Sequence, residues 1–134
     1  MHIYLIFLLT LFITGGALGQ STLTIRISNL RNDKGLVYLE LLDENENSLQ
    51  GDSAKIGNNS CTFTLAKLTP ERYAFKFFHD ENENRELDTN WLGIPKEGFG
   101  FSNNPKSRYG PPDFELTIFD FKQDTTIVCL INYL

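Results

Sequence analysis

The residues best suited to chemistry lie at 79–104, in the run HDENENRELDTNWLGIPKEGFGFSNN. From Asp80 onward an oxygen-bearing side chain recurs at every second position: Asp80, Asn82, Asn84, Glu86 and Asp88. Calcium takes roughly 6–8 oxygen ligands at flexible geometry, and a D-x-N-x-N turn aims alternate side chains at one point. The spacing therefore predicts a calcium-ordered loop. In it Asp80, Asn82 and Asn84 supply side-chain oxygens, Glu86 its carbonyl, and Asp88 a direct or water-mediated contact. The pattern is not that of the helix-flanked calcium loop, because Arg85 stands where Gly is expected and Trp91 where a bidentate Glu is expected. A single-loop site then needs another acid to fold back, and Glu97 is the candidate. The competing reading is a solvated acidic turn. The chain carries its own control: DENEN also occurs at residues 43–47, followed by Ser48-Leu49-Gln50-Gly51, with no acid at the equivalents of Glu86 and Asp88. The discriminating feature is thus the extension through Asp88, and the first copy reads as a solvated turn.

The same segment offers other chemistries. Glu97 with Asp88 would make a carboxylate pair for glycoside hydrolysis, and His79 beside Asp80 a general base. Neither is accompanied by a nucleophile elbow or a metal-binding His pair, so no catalytic residue is assigned. The expectation is a non-enzyme, with a carboxylate-based hydrolase as an alternative. Trp91, Phe99 and Phe101, interleaved with glycines, define a candidate platform for a glycan or peptide. Against it stands the reading that these rings are the loop's own small core, since a long ordered loop must bury something. Zinc is disfavoured because cleavage of the signal peptide expected at residues 1–19 would leave His79 as the one histidine, and the two cysteines lie in separate strand-like runs.

The elements that must position these residues alternate as β-strands. Period-two patterns occur at residues 22–28, 36–42, 60–65, 72–78, 114–119 and 125–133. Residues 31–35 (RNDKG) read as the turn of a hairpin joining the first two, and 43–52 as a polar, irregular exit. The stretch from 79 to 113 far exceeds the ~12–15 residues at which an unstructured connection becomes uncommon. Together these predict an all-β antiparallel sandwich, transthyretin-like or immunoglobulin-like, with one long ordered loop.

Residues 1–19 hold no acid, Lys or Arg and an apolar run from Ile3 to Ile13, shorter than the ~20 residues of a membrane span. They read as a signal peptide cleaved after Ala17-Leu18-Gly19, leaving residues 20–134 as a single secreted or periplasmic domain without a transmembrane segment. With 12 Lys+Arg against 17 Asp+Glu, the net charge is −5. No basic stripe is available for phosphates, which excludes nucleic acid; an envelope protein or glycan is the expected class of partner. In an oxidising compartment Cys61 and Cys129 are either a disulfide or two buried thiols.

The run Leu68-Thr69-Pro70-Glu71-Arg72-Tyr73-Ala74, the segment 79–104, and Gly110-Pro111-Pro112-Asp113-Phe114 resemble the bacterial secreted proteins called domain of unknown function 2141. The resemblance covers residues 23–133 and centres on H-D-x-N-x-N-x-x-x-D…G-I-P-x-E-G-x-G-F-S-N. It implies an exported β-sandwich in a bacterium and brings no established activity. Members usually carry Gly where this chain has Arg85 and Arg72.

Overall fold

The computed structural model describes residues 19–107 and 110–134. The expected signal peptide thus falls, except for Gly19, outside the described residues.

Alternation at period two builds the domain, because side chains at i and i+2 share one face of a strand. Strand β1 (Ser21–Ser28) turns Leu23, Ile25 and Ile27 inward, and β2 (Leu36–Asp43) does the same with Val37, Leu39 and Leu41. The remaining strands are β3 (Ser48–Lys55), β4 (Cys61–Leu68), β5 (Glu71–Asp80), β6 (Phe99–Phe101), β7 (Phe119–Phe121) and β8 (Thr125–Leu130). They form two sheets, a three-stranded one ordered β4-β1-β8 and a five-stranded one ordered β3-β2-β5-β6, with β7 also paired to β5. Every ladder is antiparallel except β1 with β8. Between the sheets lies one core, to which β4 adds Phe63 and Leu65, β5 adds Tyr73, Phe75 and Phe77, and the C-terminal part adds Phe121, Cys129 and Ile131. The fold is the expected antiparallel β-sandwich.

Four local expectations are corrected. Residues 31–35 do not close a hairpin: β1 and β2 lie in different sheets, and the chain crosses the sandwich edge past buried Leu30. Two strands with apolar inner faces read alike whether they pair or face each other, so alternation alone does not choose. Gly35 matters here for another reason. Its φ is +68°, and a Cβ would sit 1.9 Å from the Asp80 carbonyl oxygen, so only Gly lets this crossing lie against the end of β5. The polar exit at 43–52 contains β3, an edge strand (SLQGDSAK) whose burial never exceeds partial and which shows no apolar stripe. Residues 114–119 are not one strand: Phe114–Thr117 is a 3-10 turn, closed by the Thr117 hydroxyl donating to the Phe114 carbonyl (2.6 Å), and β7 starts after it. Finally, the disulfide option is overturned. Ile27 pairs with Cys61 on one side and Cys129 on the other, so the two cysteines stand two strand spacings apart. That is about 9–10 Å, beyond the ~7 Å limit for bridging without backbone movement. Both are buried free thiols, and burial pushes each pKa up to about 11.

Candidate functional site

The inward alternation of β5 runs through Tyr73, Phe75 and Phe77 to His79, and Asp80 follows; the last two residues have no exposed surface. A buried imidazole must satisfy both nitrogens. The His79 Nε2–H donates to the Lys34 carbonyl (2.6 Å), which fixes the tautomer, and Nδ1 accepts from the Tyr133 hydroxyl (2.8 Å). That hydroxyl in turn accepts the Arg31 N–H (3.1 Å), and burial pushes the phenol pKa up. His79 therefore offers no free nitrogen to a substrate.

Asp80 and Glu97 do the structural work of the loop. Asp80 Oδ1 accepts the Asn84 N–H (3.2 Å) and Oδ2 the Arg85 N–H (2.7 Å). Glu97, 5% exposed, folds back as expected, but onto backbone: its Oε2 accepts the Glu81 N–H (2.7 Å) and Oε1 the Asp88 N–H (3.0 Å). One carboxylate thus winds the turn from inside and the other clips its two ends together. A buried carboxylate is tolerated when hydrogen bonds replace its hydration. Arg85, at φ +66°, adopts the left-handed conformation that Gly would adopt without strain.

Outside this frame the amides of Asn82 (2.5 Å) and Asn84 (2.6 Å) both donate to the Asp88 carboxylate, while their own Oδ1 atoms accept the N–H groups of Asn84 and Glu86. The Asn84 amide, and then the Asn82 amide working against partial burial, hold the Asp88 carboxyl below the usual range. Beside them the Arg31 guanidinium pairs with Glu81, donates to the Lys96 carbonyl (3.2 Å) and lies 4.6 Å above the Tyr133 ring. Burial disfavours the charged Glu81, but the Arg31 and Asn32 hydrogen bonds outweigh it and lower its pKa.

Of the expected oxygen set, the side chains of Asn82, Asn84 and Asp88 converge on one another, whereas the Asp80 and Glu97 carboxylates turn to backbone N–H groups. Glu86 is exposed and joins through its N–H alone. Among the described residues no three His, Cys, Asp or Glu side chains gather as a metal-binding group, so any cation here relies on the asparagine oxygens. The first DENEN copy uses the same device more simply: Asp43 Oδ1 accepts the N–H groups of Asn45 and Asn47 (both 2.9 Å) in the β2–β3 turn.

The aromatic trio is split. Trp91 is 91% exposed, which removes it from any small core of the loop. Phe99 and Phe101 flank Gly100 on β6 and lie on the outer face of the sheet, half-buried and edge to face at 6.3 Å. Their register puts Phe99 opposite Phe78 and Phe78 opposite Tyr38, an aromatic row across three strands that the sequence reading did not assemble. Also missed were Arg31, Tyr133 and Ser102. The Ser102 hydroxyl, fully buried, donates to the Thr117 carbonyl (2.5 Å) and accepts the Phe75 N–H (3.0 Å). Asn103 donates to the Leu116 and Ile118 carbonyls, and Asn104 accepts the Leu130 N–H. The S-N-N of the motif thus ties the loop's return to the 3-10 turn and β8. Two shallow depressions elsewhere, one beside Thr22, Asp124 and Thr125 and one beside Pro70, Arg72 and Asp120, include no residue of 79–104.

Fold and site together define a β-sandwich carrying one long loop that is wound on two buried carboxylates. The sequence matches, over residues 25–128, the family described as "Uncharacterized protein conserved in bacteria (DUF2141)", and the chain belongs to that family. Neither a curated protein nor a solved structure matches it.

Proposed function

We propose that the protein is an exported, non-catalytic binding or accessory module of the bacterial envelope, whose acidic loop takes up calcium at the cluster of Asn82, Asn84 and Asp88. The supporting observation is the convergence of both asparagine side chains on the Asp88 carboxylate, half-exposed at the surface of an already wound turn. Uptake exchanges two amide-to-carboxylate hydrogen bonds for oxygen coordination, with water completing the shell as hard cations allow. Winding by Asp80 and Glu97 is independent of the ion, so calcium tightens a loop that is already folded. The carboxylates named for a hydrolase, Glu97 and Asp88, are both engaged in holding the loop, which favours the non-catalytic reading. Calorimetric titration with calcium tests the proposal. Heat release and a higher Tm, both lost in Asp88→Ala, are expected; no heat and an unchanged Tm at millimolar calcium would overturn it.

A further inference from the structure

After Asp88 the loop doubles back as a short finger. The Lys96 N–H donates to the Asp88 carbonyl (2.8 Å), Thr89 and Pro95 form a bridge, and the Asn90 N–H donates to the Ile94 carbonyl (2.9 Å). The Gly93 N–H closes a turn on the Asn90 carbonyl (2.9 Å), which puts Trp91 and Leu92 at its two central positions. Asn90 Oδ1 also accepts the N–H groups of Leu92 (2.9 Å) and Ile94 (3.1 Å). The result is an internally stapled finger whose apex exposes 91% of Trp91, 61% of Leu92 and 43% of Ile94.

We propose that this finger inserts into the interface of a lipid bilayer with neutral headgroups. Three features select that occupant. Four of the finger's backbone N–H groups, those of Asn90, Leu92, Gly93 and Ile94, are satisfied within it, which suits insertion to the interfacial depth where the other backbone groups of the apex keep water. Those four are for the same reason not free for the hydroxyls of a glycan. Residues 89–95 carry no charge while the chain carries −5, so contact is driven by apolar insertion and anionic headgroups oppose it. Three exposed apolar side chains, Trp91, Leu92 and Ile94, fall well short of the ~800 Å² that each partner in a stable protein interface buries, which argues against a second copy. Trp at the apex suits the interfacial depth, where one part of the ring is dry and its N–H wet. The inference draws on the envelope reading only for where a bilayer is met, and it needs no calcium.

Trp91 is the one tryptophan in the chain, so its emission reports the finger alone. The purified protein is mixed with phosphatidylcholine vesicles in EGTA, following emission and co-sedimentation. Expected are a shift to shorter wavelength, co-sedimentation, and at least tenfold weaker binding for Leu92→Asp, which keeps a near wild-type Tm because Leu92 is 61% exposed and lies outside the core. Replacing half the lipid with phosphatidylglycerol at low salt weakens binding. Four results would each overturn the proposal: no shift and no pelleting at saturating lipid, undiminished binding by Leu92→Asp, tighter binding to the anionic vesicles, or a concentration-dependent shift without lipid that accompanies dimer formation. Chelation separates this test from the calcium titration, so either proposal can fail alone.

Discussion

Single atoms decide the packing at the two glycines of the G-x-G in the loop's return. A Cβ on Gly100 would lie 2.3 Å from the Phe77 ring, and one on Gly98 2.5 Å from the Tyr133 ring. These residues are glycine because aromatic side chains of the core fill the space, not because a turn needs positive φ. Gly100→Ala is expected to destabilise by about 1–3 kcal/mol, read as a lower Tm, through overpacking against Phe77. Gly57→Ala, with nothing within 4 Å of the new methyl, is the control and should stay within about 0.5 kcal/mol. The cysteines make a second residue-scale case. Their pKa values, raised to about 11 by burial, predict no reaction with a thiol reagent at neutral pH until the protein is unfolded, when both react. A reductant should leave the Tm unchanged. Because the unfolded thiols ionise near the ordinary value of 9, the unfolded chain sheds protons first, and stability should fall as pH rises from about 9 to 11.

The loop behaves as one element because its clamps are side chain to backbone. Glu97→Gln keeps the shape but turns one carboxylate acceptor into an amide donor facing an N–H, leaving a buried donor unsatisfied. A loss of about 1–3 kcal/mol is expected, with faster hydrogen exchange at the Glu81 and Asp88 amides. Asp88 sets the pH response. Its carboxyl pKa is lowered in the fold, so its hold on Asn82 and Asn84 is present above the unfolded value near ~3.9 and is lost as pH falls through the folded one. Exchange protection at Asn84 and Glu86 should drop in that window while the β1 and β2 amides stay protected. At this scale the sequence was legible where one face is buried: β1, β2, β4 and β5 show clean alternation, and Asp80, Asp88 and Glu97 stood out by type and spacing. What stayed hidden has physical reasons. An edge strand such as β3 needs no apolar stripe. Acids suited to calcium are equally suited to accepting backbone N–H groups, which is the use Asp80 and Glu97 are put to. The parts played by Ser102 and Arg31 depend on segments that only the fold brings together.

For the whole molecule the decisive contact is between the two ends of the domain. Strand β1 is the centre of the three-stranded sheet, and its second neighbour is β8, paired in parallel over Leu23–Thr125 through Ser28–Leu130. Parallel neighbours need a long connection, and here that connection is nearly the entire sandwich. Until β8 arrives, the ladder edge of β1 is open and the pocket for Cys129 and Ile131 in the core is empty. Chain closure of this kind cannot be made early, so folding should be slow, in the millisecond-to-second range typical of non-local β topologies. It should also be all-or-none with respect to the C-terminus. A chain ending at Lys122 keeps every residue of the loop and of the finger, yet it loses β8, Ile131 and the Tyr133 hydroxyl that holds His79 and Arg31. Differential scanning calorimetry should find no cooperative transition for it. If the truncated chain instead melts cooperatively near the full-length temperature, the five-stranded sheet with its loop is the stable unit, and β8 is only an added edge.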